Sequence, residues 1–259
     1  MDRDFREGQI AVDFPLEAFV RPGRMLVRSI RLFLATWRFL AWTTLVIFLP
    51  GKLLLQFFCY VLDVPTSGIL SYFLLELSDL VLGALAIPAV VYGLIGRFRK
   101  GSIPPLGECL RWGRRQWGKT LWNKVKVEIT VMLWGALLVI PGILAMLRLA
   151  FVDIVVAIEA DAASDPLERS RELSLHQRWR IFLVLAPMAV LDMAANFLIL
   201  DRVPGAVDSR VLFALADCVL ACAGQLGTVA VLLMYLGLIP PPEPTPVRKP
   251  RTATGPRAR

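Results

Sequence analysis

The stretch VIPGILAMLRLAFVDIVVAIE, Val139 to Glu159, decides the fold. It lies inside an apolar run from Ile129 to Ile158 that as one helix would be about 45 Å long, against a hydrocarbon core of about 30 Å. Tilt alone does not absorb that excess. Proline removes a backbone donor and glycine takes turn geometry at little steric cost, so Pro141-Gly142 reads as the outer tip of a hairpin. Its third span then borrows length from the interface at Trp122 to Lys126, and its fourth returns Glu159 to the cytoplasmic side.

Working outward, the chain has 259 residues, of which 56% are apolar and 19% charged, with a mean hydropathy of +0.61. Soluble domains carry about a quarter charged residues, so this is the composition of an integral membrane protein. Apolar spans are read at about 34–60, 69–95, 123–140, 142–159, 181–200 and 211–238. The expected fold is all-α: a polytopic membrane helical bundle of six transmembrane helices, with an interfacial amphipathic helix and a short cytoplasmic helix. Residues 1–31 form a basic cytoplasmic segment with eleven charges and no signal-peptide core, 32–238 the membrane domain, and 239–259 a disordered Pro-rich basic tail.

Lys and Arg in short loops accumulate on the cytoplasmic side. With six spans and the N-terminus inside, 24 of the 29 basic residues fall in cytoplasmic segments (6 in 1–31, 9 in 96–126, 4 in 160–180, 5 in the tail). With five spans the division is 17 inside and 9 outside. The six-span reading therefore places both termini on the cytoplasmic side of the membrane.

Two cytoplasmic loops carry motifs. In SDPLERSRELSLHQRWRIF, Ser164 to Phe182, Asp165 suits a helix N-cap, Pro166 the first helical position and Glu168 the capping-box position, predicting a helix from 166 to about 175. In RFRKGSIPPLGECLRWGRRQWGKTLWNKVK, Leu106, Leu110, Trp117 and Leu121 can share one face of an interfacial helix. Its basic residues, Arg97, Arg99, Lys100, Arg111, Arg114, Arg115, Lys119, Lys124 and Lys126, are candidates for anionic headgroup binding, at about 1 kcal/mol each near the surface. Nucleic acid is not the expected partner.

The pattern LLVIPGILAMLRLAFVDIVVAIEADAASDPLERSRELSLHQRWRIF resembles the poorly characterised bacterial family of YciC-type inner-membrane proteins, and the membrane domain found beside some glycerophosphodiester phosphodiesterases. Pro141, Gly142, Arg148, Glu159, Arg169, Ser170 and Arg178-Trp179-Arg180 carry the resemblance; where a glycine is expected near the helix C-cap stands His176. The resemblance implies a six-helix inner-membrane protein and almost no mechanism.

Ionisable residues inside spans are costly. Arg38, Glu76, Asp79, Arg148, Asp153, Asp192 and Asp217 fall there, with Gln56, Asn196 and Gln225 as uncharged companions. Arg38 is placed to snorkel to the inner headgroups. Glu76, Asp79, Arg148, Asp192 and Asp217 are read as one polar cluster, since four spans would hold such residues at about 9 to 12 Å below the outer boundary. Two readings stay open: a structural network around Arg148, or a proton or cation site. One histidine, His176, and four unclustered cysteines exclude the usual zinc sites, and no phosphate loop or nucleophile-elbow motif is present. The expected role is a non-enzymatic, cofactor-free accessory to membrane or envelope organisation, partnered by anionic lipid and an envelope protein; the alternative is a small transporter.

Overall fold

The computed structural model describes residues 22–62, 69–159, 165–201 and 210–238; the expectations for residues 1–21 and for the tail lie outside them. All regular structure among the described residues is helical: α1 (Pro22–Val61), α2 (Ile69–Lys100), α3 (Leu106–Leu137), α4 (Val139–Leu149), α5 (Val152–Glu159), α6 (Pro166–Ser174), α7 (Arg178–Asp201) and α8 (Arg210–Leu238). Among the described residues, four segments are long and apolar enough to cross a membrane: Pro22–Val61, Phe73–Lys100, Val139–Glu159 and Ala214–Leu238.

Close approaches fix how the helices run. Phe39 of α1 abuts Gly93 of α2 and Leu82 abuts Gly51, so α1 and α2 are antiparallel. Gly101, at φ +72°, turns the chain out of α2, and glycine is the residue that takes this left-handed backbone freely. Pro104 then abuts Gly96, and Gly113 of α3 lies against Leu85 and Ala89. The Trp117 indole donates to the Val81 carbonyl at 3.1 Å, which holds α3 antiparallel along α2. The main core joins α1, α2, α5, α7 and α8 through Leu40, Val90, Leu94, Phe151, Ile154, Ile181, Val229, Leu232 and Tyr235.

Two sequence expectations are corrected here. The segment 97–126 is not a separate interfacial helix. From Leu106 it is the opening part of a 32-residue helix, and its less polar face meets protein: Leu110 packs beside Ala86, and Trp112 stacks on Tyr92 with ring centres 5.4 Å apart.

The hairpin forms, but it does not turn at Pro141-Gly142. Leu138 alone is extended (φ −159°, ψ 140°), between the end of α3 and the start of α4. Pro141 sits in the first turn of α4, where its missing N–H costs nothing because those donors have no intrahelical partner. Gly142 serves close approach: a Cβ there would lie 2.7 Å from the Gly135 Cα. At the other end of the hairpin, Val127 of α3 packs against Leu149, Val152 and Val156.

Candidate functional site

The polar centre of the bundle is built on Lys52, a residue of the first span that the sequence reading passed over. Its side chain is 1% exposed, and its Nζ lies 2.6 Å from Asp79 Oδ1 and 2.6 Å from Asp217 Oδ2. One ammonium thus ties α1 to α2 and α8. Gly51 makes the approach possible, since a Cβ there would stand 2.9 Å from the Leu82 methyls. Both carboxylates keep an outward edge, Asp79 being 42% and Asp217 20% exposed. Buried charges persist where they are paired, and Lys52 is met by a carboxylate from each of two other helices.

Of the five residues expected to form a polar layer, only Asp79 and Asp217 meet. Glu76 is exposed one turn from Asp79. Asp192 lies against Gly224, seven residues and about 10 Å along α8 from Asp217. Arg148 is exposed on α4. The structure therefore corrects the layer organised on Arg148: the cation at the centre is Lys52, because α3 and α4 fold on each other and present Arg148 outward.

A second polar centre joins Glu159 and Arg169, two of the residues that carry the resemblance. Glu159 accepts the Tyr235 hydroxyl at 2.5 Å and pairs with Arg169 Nε at 3.5 Å, while Arg169 Nη1 reaches Glu172 at 3.2 Å. Tyr235 is fully buried, and no local pattern marks it. Ser170 bridges the break between α4 and α5: its hydroxyl donates to the Arg148 carbonyl at 2.9 Å and accepts from the Phe151 N–H at 3.2 Å. The Ser174 hydroxyl lies 3.4 Å from the same carbonyl. A helix break inside an apolar segment needs such side-chain partners for its freed backbone groups. Asp165 accepts from the Leu167 N–H at 3.1 Å and so caps α6.

The basic residues divide. Arg97 is occupied within the protein, donating to the Ala35 carbonyl at 2.9 Å. Lys124 is half-buried, with its Nζ over Gly83, and Lys126 lies 5.4 Å from the centre of the Trp122 ring. Arg99 and Lys100 are exposed at the end of α2. Arg111, Arg114, Arg115 and Lys119 form one exposed face of α3, with Trp117 and Trp122 also exposed.

Among the described residues no group of three or more His, Cys, Asp or Glu side chains is placed to hold a metal, and all four cysteines are free thiols. Burial, with the Glu108 charge adding to it, pushes the Cys109 thiol up to about 11. Comparisons with protein-family models, curated proteins and solved structures return no match for this chain.

Proposed function

We propose that this chain is a non-enzymatic integral membrane protein, accessory to membrane or envelope organisation, that binds anionic phospholipid headgroups through the basic face of α3. The observation that carries the reading is the exposed, single-sign set Arg111, Arg114, Arg115 and Lys119, with Trp117 and Trp122 beside it. Exposed Leu, Phe, Trp and Val side chains on α1, α7 and α8 supply apolar surface that lipid would cover. At 40 and 32 residues, α1 and α2 are about 60 and 48 Å long, so their basic ends extend beyond a 30 Å hydrocarbon core. The basic-residue bias supports the inner membrane, an even number of crossings and cytoplasmic termini, and the residues around Glu159, Arg169 and Ser170 support kinship with the YciC-type family.

Four basic residues at about 1 kcal/mol each amount to nearly a thousandfold in headgroup affinity. Native mass spectrometry of the full chain extracted with its lipids tests this. The wild type retains phosphatidylglycerol or cardiolipin, and R111E/R114E/R115E/K119E does not. Equal retention by both overturns the reading.

The transporter alternative draws on the Lys52, Asp79 and Asp217 group. Lys52 is held by both carboxylates at once, which favours a structural staple, and the absence of proton-coupled flux in liposomes is the expected result.

A further inference from the structure

Among the described residues, the α3–α4 hairpin tip is a continuous exposed apolar stretch. Ile129, Met132, Leu133, Trp134, Leu137, Leu138, Val139 and Ile140 are all exposed, and the arms meet each other through Gly135 and Gly142. We propose that this hairpin is a re-entrant element that enters one leaflet and returns without crossing. The proposal rests on the reading of the chain as a membrane protein and deepens it by fixing how this segment meets lipid.

Three observations carry it. The first is length. α4 has 11 residues, about 16 Å, roughly half of a 30 Å hydrocarbon core; apolar segments of about 10 to 14 residues are buried core helices or re-entrant or interfacial elements, and the exposure of Val139, Ile140, Ile143 and Met146 sets the first aside.

The second is what sits at the base. α6 has the sequence PLERSRELS, with Glu168, Arg169, Arg171 and Glu172 among its nine residues, yet Ser170 bonds to both sides of the α4–α5 break at Arg148 and Phe151. So polar a helix is excluded from hydrocarbon, and it holds residues 148–151 at the aqueous or headgroup level with it. The segment Val139–Glu159, long enough by count to cross, is thereby cut at its midpoint.

The third is charge. Lys126 on one arm and Arg148 on the other stand 12 and 10 residues from Leu138, about 18 and 15 Å from the tip. With the exposed Glu128 at the height of Arg148, both arms are polar at the base, and ionisable side chains there are kept out of hydrocarbon, which leaves the tip near the middle of the bilayer. Both arms return to the side they left, so the even crossing number holds, with four full crossings instead of six.

Fluorescence quenching in vesicles of phosphatidylcholine and phosphatidylglycerol tests the proposal. The full chain with its four native cysteines replaced by alanine carries a single environment-sensitive probe at Leu138→Cys, or, as a reference on α1, at Phe57→Cys. The Leu138 probe is expected to lose more fluorescence to a quencher at the acyl-chain end than to one at the headgroup. The unlabelled Leu138→Cys thiol is expected to resist impermeant maleimide from both sides. Maleimide reaction at Leu138→Cys from the side opposite residue 165 shows a full crossing and overturns the proposal. Reaction from the same side, with no acyl-chain quenching, shows a hairpin outside lipid and also overturns it. In that last case the Phe57 probe separates the claims: if it is quenched by the acyl-chain reagent, only the re-entrant hairpin fails; if it is not, the membrane reading fails too.

Discussion

Replacing Ser170 by alanine removes one hydroxyl that satisfies two backbone groups at the break between α4 and α5. The site is fully buried, so water does not substitute for it. The Phe151 N–H loses its 3.2 Å acceptor, while the Arg148 carbonyl keeps Ser174 at 3.4 Å. An unsatisfied buried donor costs about 1 to 3 kcal/mol, so Ser170→Ala is expected to destabilise by about 2 kcal/mol. For a chain of this size that is a fall of about 4 to 8 °C in the melting temperature followed by tryptophan fluorescence in detergent. Ser174→Ala alone is expected to cost less than half as much, because its hydroxyl also serves the local Arg171 carbonyl at 3.0 Å. The double variant should exceed the sum of the two, since only it strips the Arg148 carbonyl completely. Hydrogen exchange at the Phe151 amide should quicken in Ser170→Ala. A melt within about 1 °C of wild type, or a larger loss in Ser174→Ala than in Ser170→Ala, refutes the reasoning.

Three further outcomes follow from the packing and burial. Gly142→Ala should destabilise by about 1 to 3 kcal/mol because the new methyl meets the Gly135 backbone, whereas a Cβ at Gly135 meets nothing within 4 Å. Gly135→Ala is therefore expected to be neutral or mildly stabilising in the same melt, and the reverse order would refute the hairpin geometry. Lys52→Met leaves Asp79 and Asp217 facing each other and should cost about 3 kcal/mol, the low end for a broken buried pair because both carboxylates keep an exposed edge. K52M/D79N/D217N should recover most of that loss, and a triple variant as unstable as the single one would show that charge is not the cause. With its thiol near 11, Cys109 holds only about one thiolate in a thousand at pH 8, so maleimide should spare it until the detergent-solubilised protein is unfolded.

What could be read in advance follows the range of the interaction concerned. The apolar runs announce the long helices because burial in lipid or core needs a continuous stretch. The start of α6 is readable at Asp165 and Pro166 because capping is settled within a few residues. The hairpin is readable from length, yet its turn is set three residues early by the contact of Gly142 with Gly135, which no local rule predicts. Lys52 looks like an isolated cost until α2 and α8 bring Asp79 and Asp217 to it. Tyr235 gains its meaning from Glu159, 76 residues away. Arg148 misled for the converse reason: counting residues from a span end gives a depth but not a direction, and its guanidinium faces outward.

The serine bridge also sets an order of events during synthesis. Ser170 and Ser174 lie 19 to 26 residues beyond the groups they satisfy, so the joint at Arg148–Phe151 stays open until that much more chain has been made. At about 5 to 20 residues per second the wait is about 1 to 5 s, far longer than the microseconds in which helices form. The nascent α3–α4 hairpin can therefore swing on an unlocked joint while it finds the bilayer, and α6 latches it only afterwards.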